Sequence, residues 1–304
     1  MEIYLPIAEM SMSPIPLLVL GAIVGLISGL FGVGGGFIMT PLLIFIGVPP
    51  AVAVGTQANQ IVGASVSGVS GYWRRREIDL RMAAVLLGGS LAGSIMGVWL
   101  FSLLRRIGQV DLVISILYVV ILGSIGLLML IESVSVILKD RSGYAPRRKP
   151  NRHNWMHGMP IKMRFPRSRL YVSALVPLTI GFLGGLLVSI LGVGGSFFMI
   201  PAMIYLVKMP PSIVPGTSLL SVLITTGVAT VIHSFTTHTV DIVLAVFLLI
   251  GGGIGAQIGI RFGAQIRGEQ SRALLAAVIL IVALKLLIGL VIQPDNLYSL
   301  VVGG

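Results

Sequence analysis

Two glycine-rich strings interrupt this chain at equivalent places. Gly-Val-Gly-Gly-Gly-Phe occupies 32–37 and Gly-Val-Gly-Gly-Ser-Phe occupies 192–197. Each divides an apolar stretch: runs 15–31 and 37–47 flank the first, 172–191 and 196–207 the second. A glycine costs a helix interior about 1 kcal/mol, so a cluster of them ends it. The short arms 37–47 and 196–207 hold 11 and 12 residues. As helix they rise about 16–18 Å, roughly half of a 30 Å hydrocarbon core. Backbone freed at that depth is tolerated only inside protein or along a polar cavity. The strings therefore demand an all-helical membrane fold with broken helices in its interior.

The remaining sequence agrees. Hydrophobic residues make up 56% and charged residues 10%, against roughly a quarter charged in a soluble domain. Six further apolar runs, 51–72, 83–104, 112–134, 213–234, 242–262 and 272–292, are each long enough to span. This composition excludes a soluble enzyme, a disordered chain and a secreted disulfide scaffold. The chain has no cysteine, so it has no thiolate metal site or thiol relay. The net charge of +11 sits in short segments between apolar runs, as topology signals do, and does not imply nucleic acid. Glu2 and Glu9, with no basic residue, precede the first run, which reads as structure rather than a cleaved leader.

The two halves repeat at an offset of 160 to 162 residues. Met39 and Pro41 return as Met199 and Pro201, Pro49-Pro50 as Pro210-Pro211, Gly55-Thr56 as Gly216-Thr217, and Asp79 as Asp241. Glycine ladders repeat as well: Gly21, Gly25 and Gly29 answer Gly181 and Gly185, and Gly89, Gly93 and Gly97 answer Gly251, Gly255 and Gly259. Spacing by four puts these on one helix face, where backbones approach closely. Stretch 139–171 carries ten basic residues and one acid, Asp140. The expected organisation is a first membrane repeat (1–138), a basic cytoplasmic linker (139–171) and a second membrane repeat (172–304).

Charge orients the repeats. If each broken pair is a re-entrant hairpin, each half crosses the membrane three times and the halves are inverted. With the linker inside, Arg74, Arg75, Arg76, Arg81, the ten linker residues, Lys208, Arg261, Arg267 and Arg272 then all lie inside. Only Arg105 and Arg106 lie outside, and Lys285 is within a span. If 15–47 were one broken span and the halves parallel, Lys208, Arg261, Arg267 and Arg272 would join the outside. The positive-inside rule favours inversion. The predicted fold is two inverted repeats, each a glycine-broken re-entrant helix pair plus three spanning helices.

Such architecture belongs to secondary transporters. Two hairpin tips near mid-membrane would present the N-termini of short helices, whose partial positive charge binds anions without a cationic side chain. Gly32, Gly34, Gly35 and Gly36, with Gly192, Gly194, Gly195 and Ser196, form the tips. The alternative is that they only make a tight buried turn. Thr56, Gln57, Asn59 and Gln60 in one half, and Thr217, Ser218 and Ser221 in the other, supply uncharged donors for an oxyanion, or else interhelical hydrogen bonds. Gln257 is a weaker lining candidate. Lys285 reads as a snorkelling cation, and Glu132 and His233 as interfacial polar residues. No run contains a central carboxylate, and no zinc or dinucleotide motif is present, so neither catalytic residue, metal nor cofactor is expected.

Gly-Leu-Phe-Gly-Val-Gly-Gly-Gly-Phe-Ile-Met-Thr-Pro at 29–41 and Pro-Pro-x4-Gly-Thr at 49–56, echoed at 189–201 and 210–217, resemble the TauE/SafE family of sulfite-exporter permeases. The resemblance covers about 15–134 and 172–292. It implies a duplicated membrane fold, transport of sulfite, sulfonates or related sulfur-containing anions, and a function of export. Mapped here, the family's glycine motifs fall on Gly32, Gly34, Gly35 and Gly36, and on Gly192, Gly194 and Gly195. The second copy departs at Ser196, which stands opposite Gly36, and at Ser218, opposite Gln57, which implies unequal half-sites. The expected partners are a small anionic substrate and membrane lipid, and the expected place is a bacterial-type inner membrane. Competing readings are a passive anion channel, a membrane-embedded enzyme acting on lipid, and a scaffold whose basic linker docks partners or anionic lipids.

Overall fold

A computed structural model describes residues 3–31, 36–141, 161–237, 239–263 and 268–291. Within them the chain is mostly helical, and two matching series of elements follow one another. The first runs β1 (Ile3–Leu5), β2 (Met10–Met12), α1 (Pro14–Phe31), α2 (Gly36–Phe45), α3 (Pro50–Arg74), α4 (Leu80–Arg106) and α5 (Val110–Arg141). The second runs β3 (Lys162–Phe165), β4 (Leu170–Ser173), α6 (Leu175–Leu191), α7 (Ser196–Tyr205), α8 (Val214–Thr236), α9 (Ile242–Gly263) and α10 (Gly268–Val291). The second glycine string does break its helix, since α6 ends at Leu191 and α7 begins at Ser196; α2 and α7 are ten residues each.

Among the described residues five helices are long and apolar enough to cross a membrane: α4, α5, α8, α9 and α10. The sixth expected run, 51–72, forms the 25-residue α3. Gln57, Asn59 and Gln60 at its middle lower its hydropathy and keep it out of that group. The large apolar residues of α4, α5, α9 and α10 face outward, Trp99, Leu128, Ile254 and Ile281 among them. An apolar girdle of this extent fits hydrocarbon rather than water.

Helices pair across the two halves. α1 lies along α9, α4 along α6, α3 along α8 and α5 along α10. The glycine ladders explain how closely. A methyl group on Gly25 would overlap Gly252 backbone, and one on Gly93 would overlap Phe182 backbone. The ladder of each half thus meshes with a helix of the other half, which a membrane helix pair exploits for dispersion contact.

Two antiparallel hairpins, β1–β2 and β3–β4, precede α1 and α6. The second falls at 162–173, overlapping the end of the basic stretch; residues 142–160 lie outside the described residues. Each hairpin clasps an aspartate of the other half. Asp79 caps α4, its Oδ1 accepting from Met82 N at 3.2 Å, while Oδ2 accepts from Ser168 N at 2.9 Å and Ser168 Oγ at 2.7 Å. Asp241 caps α9, its Oδ1 accepting from Leu244 N at 3.1 Å, while Oδ2 accepts from Ile7 N at 3.0 Å and Ala8 N at 3.4 Å.

These contacts fix helix directions. The starts of α4 and α8 lie together, where Asp79 N donates to Thr217 Oγ1. Their ends lie together too, where Arg105 Nη1 donates to Thr237 O. α4 and α8 therefore run the same way. α3 begins beside the residues that follow α8, since Asp241 N donates to Thr56 Oγ1 at 2.9 Å. The equivalent helices α3 and α8 thus run oppositely.

Candidate functional site

The second glycine string is fully described. Gly192 (φ 67°), Gly194 (φ 74°) and Gly195 (φ 51°) all hold left-handed backbone, which glycine adopts without the steric cost other residues meet. α6 ends at Leu191 and α7 begins at Ser196, with Gly195 O accepting from Met199 N at 2.9 Å. Side chains from three other helices satisfy the carbonyls that this break would orphan. Tyr118 Oη donates to Leu191 O at 2.6 Å, Thr40 Oγ1 reaches the same oxygen at 3.4 Å, and His233 Nε2 bonds Ser189 O at 2.9 Å. That last bond makes Nε2 the protonated ring nitrogen, since a carbonyl only accepts.

Of the first string, Gly32, Gly34 and Gly35 lie outside the described residues. Gly36 opens α2 and is buried. The starts of the two short helices meet there. A methyl on Gly36 would lie 2.8 Å from Val193 O and 2.6 Å from Ile61 Cδ1, and one on Gly194 would lie 2.9 Å from the same Ile61 atom. Phe37 and Phe197 stack with ring centroids 5.7 Å apart. The starts of α2 and α7 therefore converge on one place, against α3.

The polar residues around it divide by duty. Gln57 is tied to the first turn of α2: its Nε2 donates to Gly36 O and its Oε1 accepts from Thr40 Oγ1. Thr56 and Thr217 are occupied as receivers of the Asp241 and Asp79 backbone N–H groups, which lie in opposite halves. Asn59 is half-buried on α3. Ser196 is buried at the head of α7. Ser218, standing where Gln57 does in the repeat, is fully buried and its hydroxyl has no partner. Among the described residues four buried side-chain oxygens lack a partner: Gln60 Oε1, Ser65 Oγ, Ser218 Oγ and Thr230 Oγ1. All four belong to α3 and α8, the two helices that pack beside the breaks. A buried polar atom without a partner costs about 1–3 kcal/mol, so their concentration on one helix pair points to a polar path there.

Two expectations change. His233 is not interfacial but buried, 1% exposed, with Phe101 edge-on to its ring. Gln257 faces outward rather than lining the interior. Lys285, read as a snorkelling cation, is exposed and places Nζ 4.2 Å from the centroid of the Phe45 ring, a cation–π contact at the end of α2. The side chain of Glu132 lies outside those described. The capping roles of Tyr118 and Thr40 had no sequence signal beyond a polar atom in an apolar run. The aspartate clasp had one, the matched spacing of Asp79 and Asp241.

Among the described residues no cluster of side chains could hold a metal ion. What the convergence offers is two helix N-termini and the Gln57 amide, which is anion chemistry without fixed positive charge.

Comparison with known proteins agrees in kind. The profile of the family described as Sulfite exporter TauE/SafE matches residues 17–286. The "Probable membrane transporter protein YjnA" of Bacillus subtilis is 28% identical over 90% of this chain and 99% of its own length. The "Probable membrane transporter protein YunE" of the same organism is 26% identical over 91% and 98%. The "Sulfite exporter TauE/SafE family protein 3" of Arabidopsis thaliana is 32% identical over 38% of this chain and 25% of its own. No solved structure matches.

Proposed function

Because the chain belongs to the sulfite exporter TauE/SafE family, we propose that this multi-pass membrane transporter is a secondary exporter of small sulfur-containing anions, such as sulfite or organosulfonates, in the inner membrane. The observation that carries the reading is the convergence of the α2 and α7 starts against α3, together with the unpartnered buried oxygens, Ser218 Oγ among them, along α3 and α8. A small oxyanion meets helix N-termini and neutral donors there, which hold it strongly enough to bind and weakly enough to leave. Gly36 and Gly194 let the two helix starts close on α3, since a methyl on either would lie within 3 Å of Ile61 Cδ1.

The inverted arrangement of the repeats is part of the proposal. Opposed directions of α3 and α8 support it, as does the agreement of α4 with α8. Parallel repeats would set Arg105 and Thr237 on opposite membrane faces, whereas the two are hydrogen-bonded. In the inverted arrangement the halves rock about the fixed tips and expose them alternately.

The test is flux. Purified protein in liposomes should move radiolabelled sulfite or a small sulfonate against its concentration gradient when a pH gradient is imposed. Simple equilibration insensitive to that gradient would indicate a channel, and no movement of any sulfur anion would remove the substrate assignment.

A further inference from the structure

At the junction of α3, α4 and the β3–β4 hairpin lies a second polar feature that the transport reading does not use. A surface pocket of about 620 Å³ is walled by Arg74, Arg76, Arg81 and Arg167, with Trp73 and Leu80 on its rim. Both rim residues are 55% exposed. The arginines are exposed as well. The one acid in the wall, Asp79, is 2% exposed and already accepts from Met82 N, Ser168 N and Ser168 Oγ. Arg167 Nε donates to Arg76 O at 2.9 Å, which locks the hairpin tip onto the end of α3. Arg76 is held at φ 57°, a left-handed backbone that costs a non-glycine residue of order 1 kcal/mol.

The repeat supplies a control. The other half builds the same junction, with hairpin β1–β2 clasping Asp241, but Val243 stands where Arg81 does and Ile7 where Arg167 does. The clasp therefore needs no arginines. In the inverted arrangement the other junction lies on the opposite membrane face, where the positive-inside rule disfavours basic residues; what this junction adds is that its four guanidinium groups line one pocket.

We propose that this pocket binds the phosphate of an acidic phospholipid headgroup. Guanidinium forks match phosphate oxygens in pairs, and basic pockets at helix ends bind such headgroups. A free phosphate would use the arginines alone. The exposed indole of Trp73 and the Leu80 side chain at the rim match an amphipathic ligand, whose glycerol and acyl chains continue past the charge. The pocket does not depend on which anion is transported.

The chain contains three tryptophans, so a Trp99→Phe, Trp155→Phe background leaves Trp73 as the only reporter. Its fluorescence is followed in phosphatidylcholine vesicles with a rising fraction of brominated phosphatidylglycerol. Phosphatidylglycerol should be preferred at Trp73 by about tenfold or more, since each arginine near the surface contributes several-fold. Arg74→Gln with Arg81→Gln should bring the preference close to one, and Arg106→Gln at the far end of α4 should leave it unchanged. No preference in the parent, or one that survives the double substitution, overturns the proposal. Glycerol 3-phosphate should displace no more lipid than sodium chloride of equal ionic strength; displacement beyond that makes this a free-phosphate site and overturns the lipid assignment. If the double variant does not fold, each single variant is read the same way, and each should lose roughly half of the preference on a logarithmic scale.

Discussion

Ser218 and Thr217 are neighbours on α8 with opposite duties. Thr217 Oγ1 receives Asp79 N and also donates to Ile213 O at 2.8 Å. Ser218 Oγ has no partner. Thr217→Val should therefore lower stability by about 1–2 kcal/mol by orphaning a buried N–H, visible as a lower unfolding temperature in detergent. Ser218→Ala should leave stability unchanged or slightly raised and weaken apparent substrate affinity several-fold in liposome flux. Unchanged affinity in a folded Ser218→Ala protein would move the site elsewhere. The sequence marks both residues as polar repeats in an apolar run, and it marks Ser218 as the departure from Gln57. It does not show which is already engaged. That depends on a partner 138 residues away, and periodicity within one helix carries no information about what faces it.

At the scale of elements, the breaks, the glycine ladders and the short arms are legible because glycine spacing and run length follow local rules. The hairpins are not. β1, β2, β3 and β4 are three or four residues each, too short for alternation to register, and the second hides in a stretch defined by its charge. Their role is nevertheless testable. Asp79→Ala should cost about 2–4 kcal/mol, because three donors lose a charged acceptor at once. Asp241→Ala should cost a similar amount, because its contacts correspond. Thermal unfolding in detergent checks both, and a clear inequality would mean that one hairpin is dispensable. Gly93→Val should be more damaging than either, since backbone of α6 occupies the space. Gly253→Val should be tolerated, because nothing lies within 4 Å of a methyl there.

At the scale of the whole molecule, absence of cysteine makes topology directly measurable. Ser212→Cys and Arg261→Cys should react with impermeant thiol reagents from the cytoplasmic side only, and Thr236→Cys from the outer side only. The reverse pattern would mean parallel repeats. The pairing of α1 with α9 and of α4 with α6 also means that neither half buries its own ladder.

That cross-pairing has a consequence for synthesis. The amides of Ile7 and Ala8 find their acceptor in Asp241, more than 230 residues later. At roughly 5–20 residues per second, the first hairpin waits on the order of ten to fifty seconds for its lock to be translated. During that interval the glycine face of α1, whose partner is α9, stands open to lipid or to the insertion machinery, whereas α4 waits only for α6. A ribosome that stops before residue 241 releases a product with every early helix made and no clasp for its N-terminus. Quality control in the membrane would meet that product as an unlatched half.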